Sequence, residues 1–422
     1  MAWETWKTSS PERKLLWITG SAIWFGLLLL AARAMDLNEP YLPFAIAGGL
    51  IFYLRSVPKI QEQICWVLLS CGFALVARFP HTHDWIVAGS SVLALFGFGA
   101  FLMLGWRWMW SEQLVRRQAV AMLAPAASLV FFVFSAQRAL SLANVFYPKT
   151  YDLYLYVVDG SLGFQPSFLL GKAMAAAYAF RVASALTYLS LPFVMALVYA
   201  LRLPKGTERP SWDVITLLML AGLGGWALYN VVPATGPIYV FGPSFPFQAL
   251  PSRVLPKLFL EQIPVTGDAP RNAIPSLHLA WVLLLYWNTK GLSRSLQIFL
   301  AAYLALTVAS TLGTGEHYFV DLVAGVPFAL FVQAVVSPGR KPAFSRRAIA
   351  AGAGLALTLG WLLLVRFAAK AMLVSPILPW SLVIATIAGV WMINSWFASA
   401  ASSSLQSNNV TPAQTLALGA HG

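Results

Sequence analysis

The chain has 422 residues, of which 59% are hydrophobic and only 10% are charged, and its mean hydropathy is +0.71. A soluble domain carries about 25% charged residues, so this composition excludes a water-soluble globular protein. The net charge of +13 comes from basic residues scattered over the loops, whereas a nucleic-acid-binding protein gathers them on one exposed face, so no nucleic-acid partner is expected. Cys65 and Cys71 share one apolar run, which excludes a secreted-type disulfide framework and predicts two small buried residues.

Apolar runs of roughly 16 to 22 residues recur between short polar breaks, and a helix of this length spans a bilayer. The predicted fold class is therefore all-α, a polytopic transmembrane helical bundle of about 12 spans, and no strand is predicted. The predicted spans cover residues 15–34, 40–54, 63–79, 85–106, 118–136, 181–201, 212–231, 276–289, 296–314, 318–337, 348–367 and 376–397.

Alternate polar breaks hold 17 of the 28 lysine and arginine residues, and the longer breaks between them hold about eight. Because cytoplasmic loops carry an excess of basic residues, this asymmetry predicts a cytoplasmic N-terminus. We expect an integral multi-pass protein of a bacterial inner membrane. Its active site should lie on the extracytoplasmic side.

Two long external segments, 137–180 and 232–275, interrupt the spans, and the first is rich in tyrosine with Asp152 and Asp159 among the aromatic residues. This composition predicts helices that lie at the membrane interface in an aromatic belt without chemistry. The predicted organisation is an N-terminal transmembrane scaffold over 1–210 that includes the interfacial segment, a catalytic membrane domain over 211–340, a C-terminal transmembrane pair over 341–398 and a disordered tail over 399–422.

Two of the five histidines stand at the outer starts of predicted spans, on the same side of the membrane. His278 closes the sequence Pro-Ser-Leu-His, and His317 opens the sequence His-Tyr-Phe-Val-Asp that ends at Asp321. A spacing of four on a helix places the carboxylate beneath the imidazole, and a carboxylate inside a membrane helix needs such a partner. We therefore expect Asp321 to orient His317 as a nucleophile toward phosphorus, and His278 to act as general acid and base.

The residues that lead into His278 are expected to bind phosphate. Pro275 suits the first position of a helix, which would leave the amides around Ser276 and Leu277 unpaired at a helix N-terminus. These amides and the Ser276 hydroxyl would favour a phosphoryl group by hydrogen bonding and by the helix dipole.

These two motifs resemble those of the type 2 phosphatidic acid phosphatase superfamily, whose second motif is Pro-Ser-x-His and whose third ends in His-x-x-x-Asp. Residues 269–278 and 317–321 are most similar to the inositol phosphorylceramide synthase branch, and the resemblance covers about residues 220–335. It implies a phosphohistidine intermediate on His317, with Asp321 orienting the ring and His278 as acid and base. Neither a metal nor another cofactor is expected.

Two features depart from the superfamily pattern. The third motif usually opens with Ser-Arg before the histidine, but Thr311 stands in the place of the arginine. The first motif, a lysine followed after six residues by Arg-Pro, is missing from the external loop, and the similar spacing of Arg202 and Arg209 falls on the predicted cytoplasmic side. Phosphate still needs fixed positive charge. The predicted ligands are Arg271, which leads, then Arg253 and Lys257.

The predicted function is a membrane lipid phosphotransferase that moves an inositol-phosphate-like headgroup between lipids, with sphingolipid metabolism as one setting. A phosphatase for phosphatidic acid or a polyprenyl phosphate or diphosphate is the alternative, so the partners are a phospholipid or lipid-phosphate donor and a lipid alcohol or water as acceptor. A transporter or a lipid-carrier-dependent glycosyltransferase is less favoured. The ionisable residues stand at span ends rather than mid-membrane, and the first external loop lacks an acidic pair. His81, His83 and Asp84 could bind zinc, but nothing completes a ligand set.

Overall fold

A computed structural model describes residues 10–34, 40–75, 85–204, 207, 212–265, 269–289, 292–337 and 343–407. Helices make up 81% of it, which confirms the all-α fold class. The helices are α1 Pro11–Ala34, α2 Leu42–Arg55, α3 Ile60–Phe73, α4 Trp85–Trp110, α5 Gln113–Phe146, α6 Asp152–Gly160, α7 Pro166–Ala176, α8 Tyr178–Leu189, α9 Leu191–Arg202, α10 Trp212–Tyr229, α11 Pro237–Phe241, α12 Leu277–Trp287, α13 Arg294–Gly313, α14 Phe319–Val336, α15 Phe344–Ala368 and α16 Ile377–Ser407.

Short 3-10 helices occur at Gly242–Ser244, Ser252–Lys257 and Ala369–Val374. The prediction that no strand forms is wrong in one small respect, because β1, Lys149–Thr150, pairs antiparallel with β2, Ile263–Pro264. This pairing joins the segments 137–180 and 232–275, which the sequence analysis predicts to be external.

Six helices of the described residues are long and apolar enough to cross a membrane, or seven if α7 and α8 form one broken span. Five further apolar stretches lie in helices and contain 10–17 residues each, at or below the shortest length that spans a bilayer. A span of this length requires a thinner bilayer around it. The fold is therefore that of a helical membrane protein, whereas the predicted count of about twelve spans is not confirmed.

Large apolar side chains remain exposed along these helices, as expected where the neighbouring medium is lipid rather than water. Leu68 is 67% exposed on α3, Phe131 68% on α5 and Phe367 75% on α15. The prediction that Cys65 and Cys71 are buried is wrong for the same reason. Both thiols are free and lie on the exposed face of α3.

The chain contains two compact units, and the first comprises Met1–Leu142, Ala177–Ile215 and Leu285–Ser310. Its helices α2 and α4 pack backbone against backbone at Gly97, where an added Cβ would lie only 2.2 Å from the carbonyl oxygen of Ile46. Arg107, which is 6% exposed, binds both carboxylate oxygens of Glu62 at 2.6 and 3.1 Å. This bidentate ion pair ties α4 to α3.

The second unit comprises Ala143–Ala176, Thr216–Leu284 and Thr311–Gly422, and it contains both histidine motifs. The helix α6 lies inside its hydrophobic core, where Leu155, Tyr156 and Val157 are fully buried. The helix α6 is therefore a core helix of this unit, and its position at the membrane interface stays a prediction. The segment 143–176 groups with the motifs, although the sequence assigned it to the N-terminal scaffold.

The C-terminal helices α15 and α16 belong to the same unit and pack along α14. An added Cβ at Gly354 would lie 2.6 Å from the backbone nitrogen of Phe331, so a glycine is needed where α15 crosses α14. The helix α16 continues to Ser407, past the predicted start of the tail at residue 399. Residues 408–422 of that predicted tail lie outside the described residues.

Candidate active site

The imidazole of His317 lies between a carbonyl and a carboxylate. Its Nδ1 atom is 2.9 Å from the carbonyl oxygen of Ala273 and 3.4 Å from Oδ2 of Asp321. Both acceptors lack a proton to give when Asp321 is ionised, so Nδ1 is the ring nitrogen that carries the hydrogen in neutral His317. The second ring nitrogen, Nε2, then holds the lone pair.

His317 does not sit on the helix that carries Asp321, contrary to the reasoning from their spacing. The helix α14 begins at Phe319, with Tyr318 at its N-cap position. Oδ2 of Asp321 folds back to accept the Tyr318 amide at 2.7 Å, and the same oxygen faces His317. The spacing of four residues thus brings the two side chains together through the cap of α14 rather than through a regular helical turn.

His317 is only 2% exposed, and this burial lowers its pKa to about 4 because the protonated imidazole loses its hydration. The neighbouring Glu316 and the hydrogen bond to Ala273 act in the opposite direction on the His317 pKa. His317 is consequently neutral at pH 7, the state in which an imidazole nitrogen can act as a nucleophile.

Ser276 and His278 reach the same imidazole from the start of α12. Oγ of Ser276 is 3.5 Å from Nε2 of His317, and the ring centroids of His278 and His317 are 6.1 Å apart. Ser276 is fully buried and His278 is 8% exposed. The structure therefore brings together the predicted catalytic residues His317, Asp321 and His278 with Ser276.

The first turn of α12 differs from the prediction in two details. The helix begins at Leu277, so Pro275 lies outside it rather than at its first position. The amide of Ser276 is not unpaired, because it donates to the backbone carbonyl of Asp321 at 2.9 Å. Leu277 is the first residue of α12, and the amide at this position has no carbonyl partner within the helix. The Leu277 side chain packs closely against Gly225.

The predicted phosphate ligand Arg271 is engaged elsewhere. It is 2% exposed, and its guanidinium donates to the carbonyl oxygens of Tyr147 at 2.9 Å, Val265 at 2.8 Å and Ala269. These contacts join the two external segments close to β1 and β2. The guanidinium therefore has three acceptors within the protein, and phosphate binding by Arg271 stays a prediction.

The other basic candidates have varied surroundings. Arg253 and Lys257 are exposed on the 3-10 helix Ser252–Lys257. Arg202, which has nearly the first-motif spacing, donates to the carbonyl of Asn288 in the first unit, and Arg209 lies outside the described residues. Arg253 and Lys257 remain the predicted ligands with side chains available to a substrate.

Two buried carboxylates of α6 were missed by the sequence analysis, which assigned them to an aromatic belt. Asp159 accepts the amides of Phe319 and Val320, the first two residues of α14, at 2.7 and 2.9 Å. Asp152 accepts the amides of Thr235 and Gly236. Burial raises the pKa of Asp159 to about 8 and also raises that of Asp152, in both cases against the effect of the donated hydrogen bonds.

A signal for these residues was present in the sequence. Two aspartates seven residues apart lie on one face of a helix, two turns from each other, and here they stand in an otherwise apolar run. A face of this kind is buried only if each carboxylate finds donors. Ser167 of α7, which donates to the carbonyl oxygen of His317 at 2.8 Å, had no comparable signal.

The loop after α10 closes over the His317 turn at Gly236. Gly236 has φ +129°, and a Cβ there would lie 2.5 Å from the carbonyl oxygen of Glu316. The hydroxyl of Tyr239 lies 3.0 Å from both carboxylate oxygens of Glu316. Burial raises the pKa of Glu316, and the Tyr239 hydrogen bond acts against that rise.

Within the described residues, no group of three or more histidine, cysteine, aspartate or glutamate side chains could hold a metal ion. The zinc alternative on His81, His83 and Asp84 lies outside the described residues.

Comparison with known proteins gives one match. A family model described as the PAP2 superfamily matches residues 153–335, a range that contains α6 and both histidine motifs. No curated protein and no solved structure matches the chain significantly. The match supports an enzyme of the lipid phosphatase or phosphotransferase type acting on lipid phosphates in a membrane.

Proposed function

We propose that this protein is a membrane lipid phosphotransferase that moves an inositol-phosphate-like headgroup between lipids through a phosphohistidine on His317. The contact of Nδ1 with the Ala273 carbonyl supports this most directly. It leaves the Nε2 lone pair beside Ser276 and His278, the arrangement that a nucleophilic histidine with an adjacent acid and base requires.

The reaction has two halves. In the first, Nε2 of His317 attacks phosphorus and the bond from phosphorus to the donor lipid oxygen breaks. His278, whose protonated form the negative charge of the bound phosphate favours, gives its proton to the departing alkoxide. In the second, neutral His278 takes the proton of the acceptor hydroxyl, whose oxygen attacks phosphorus and breaks the P–N bond. Asp321 stabilises the positive charge that the imidazole carries between the halves.

Hydrolysis shares the first half and differs only in the acceptor, which is water. The absence of the first-motif lysine and arginine and of the third-motif arginine favours transfer of a diester headgroup, because a phosphomonoester brings a second negative charge to the site. The proposed donor is accordingly a phospholipid such as phosphatidylinositol, which leaves as a diacylglycerol, and the proposed acceptor is a lipid alcohol. A ceramide gives a new product, whereas a diacylglycerol acceptor exchanges the headgroup and needs a labelled acceptor to be detected. The extracytoplasmic position of the site follows from the distribution of basic residues.

The experiment measures turnover of phosphatidylinositol and of phosphatidic acid by purified protein, with and without ceramide or diacylglycerol. The matched variants are His317→Ala and His421→Ala, the latter a histidine outside both motifs. Headgroup transfer that requires the acceptor and His317 establishes the transferase, and release of free phosphate from phosphatidic acid establishes the phosphatase. Undiminished turnover in His317→Ala protein would contradict both.

A further inference from the structure

The helix α6 carries a carboxylate at each end, and each one holds a different part of the His317 site. Asp152 and Asp159 are both fully buried, where an uncompensated carboxylate is costly. Neither belongs to the two histidine motifs, and neither contacts the imidazole. Each accepts backbone amides, and Asp152 also accepts the Thr235 hydroxyl. These amides lead, by short covalent or hydrogen-bonded paths, to opposite sides of His317.

The Asp159 end fixes the turn that bears the nucleophile. Its two oxygens accept the amides of Phe319 and Val320 at 2.7 and 2.9 Å, which the helix α14 cannot satisfy itself. His317 is two residues before Phe319, so Asp159 determines where the His317 backbone enters α14.

The Asp152 end fixes the acceptor that holds the ring. Asp152 accepts the Gly236 amide at 2.9 Å, and the Thr235 amide and hydroxyl at 3.1 and 3.2 Å. The adjacent Ala234 carbonyl accepts the amide of Ala273 at 3.0 Å. The carbonyl of Ala273 then accepts Nδ1 of His317 at 2.9 Å.

We propose that Asp152 and Asp159 are positioning residues of the phosphoryl transfer, and that α6 holds the His317 ring and the Ala273 carbonyl at the separation that keeps the hydrogen on Nδ1. This inference rests on the proposed function for its kinetic consequence. The tautomer of His317 is a property of the folded protein and can be measured without turnover.

The kinetic test compares Asp152→Asn and Asp159→Asn with Glu261→Gln, an exposed acid of the same unit. Asparagine keeps one side-chain oxygen that accepts a hydrogen bond. Its NH2 group replaces the other oxygen and faces a backbone N–H that the aspartate accepted, so the helix or loop shifts without unfolding. We expect kcat to fall about 10- to 100-fold in both variants, because a displacement near 1 Å costs about 100-fold. KM should stay near the wild-type value. The thermal midpoint of each aspartate variant should fall, because a buried amide loses its acceptor, and Glu261→Gln should match the wild type throughout.

The spectroscopic test uses protein labelled with ¹⁵N-histidine, whose ring nitrogen shifts report the tautomer. The chain has five histidines, and His317→Gln assigns the His317 signals. We expect the Nδ1–H form in the wild type and in Glu261→Gln, and a mixture of the two tautomers in Asp152→Asn and Asp159→Asn.

An unchanged His317 signal in both aspartate variants overturns the positioning role, and so does a loss of kcat that only follows the fraction of folded protein. If Asp159→Asn does not fold, Asp152→Asn carries the test alone, because it acts on the loop rather than on the α14 cap. The proposed function fails separately, through turnover in His317→Ala, and that result would leave the tautomer measurement standing.

Discussion

The Nδ1 atom of His317 lies closer to the carbonyl oxygen of Ala273, at 2.9 Å, than to Oδ2 of Asp321, at 3.4 Å. A backbone carbonyl therefore shares with the carboxylate the task of fixing the imidazole. Ala273 stands five residues before His278, so the segment that carries the proposed acid and base also orients the proposed nucleophile.

This sharing predicts a moderate effect of Asp321→Asn. Where a carboxylate alone sets the tautomer of a catalytic histidine, the asparagine variant loses about 10⁴-fold in kcat. Here the Ala273 carbonyl keeps the hydrogen on Nδ1, so we expect a loss of about 100-fold, chiefly from weaker stabilisation of the charged phosphohistidine. Steady-state turnover of the preferred donor measures it, and a loss near 10⁴-fold would show that Asp321 alone controls the ring.

Ser276→Ala should lower activity without lowering stability. The hydroxyl is buried at 3.5 Å from Nε2, a distance too long for a strong hydrogen bond, so it can donate instead to an oxygen of a phosphoryl group that lies beside Nε2. Removing one such donor costs about 100-fold in kcat. Turnover and the thermal midpoint are measured on the same preparation, and equal turnover in the alanine variant would remove Ser276 from the phosphate site.

The three predicted basic ligands should respond differently to alanine. Arg271→Ala leaves the carbonyls of Tyr147, Val265 and Ala269 without their donor, and each buried unpaired group costs about 1–3 kcal/mol, so the thermal midpoint should drop markedly. Arg253→Ala and Lys257→Ala remove exposed side chains and should leave the midpoint unchanged.

The same variants separate phosphate binding from structure by their kinetics. We expect Arg253→Ala or Lys257→Ala to raise KM for the anionic donor about tenfold. High salt should reduce the difference in KM between the wild type and each variant, because it screens the attraction that the wild type makes. A stable Arg271→Ala protein with a raised KM would restore Arg271 as the phosphate ligand.

The low pKa of His317 predicts how stability depends on pH. The pKa is about 4 in the folded protein and about 6.5 in an exposed histidine. Between these values the unfolded chain binds a proton that the folded protein lacks, so the free energy of unfolding falls as the pH is lowered from about 6.5 to about 4. Asp159, whose pKa is about 8, shifts stability in the opposite sense, since its folded form keeps a proton up to that pH.

Thermal midpoints of the wild type and His317→Gln between pH 4 and 7 isolate the histidine contribution. The difference, wild type minus variant, should decrease as the pH is lowered. A constant difference across this range would mean that His317 is hydrated in the folded protein.

Turnover should not depend on a divalent metal. The proposed mechanism uses His317, His278 and Asp321, and we expect equal rates in EDTA and in its absence. Loss of activity in EDTA with recovery in zinc would direct attention to His81 and His83, which lie outside the described residues.

The class of protein and the chemical groups of the candidate site could be predicted from the sequence. Apolar runs of spanning length require helices in lipid, because the hydrocarbon core offers no hydrogen-bond partner to backbone N–H and C=O groups. The placement of His278, His317 and Asp321 in two short motifs identified the side chains that the structure brings together. These inferences depend on local composition and on fixed short spacings, which a sequence displays directly.

The contacts that position these side chains became visible only in the tertiary structure. The partners of His317 come from Ala273 and Asp321, and the cap of α14 comes from Asp159, 160 residues away along the chain. The basic residue nearest the second motif, Arg271, is occupied by backbone carbonyls. Contacts between distant segments depend on how helices pack and which polar groups remain unpaired after packing, and neither quantity is visible in a short stretch of sequence.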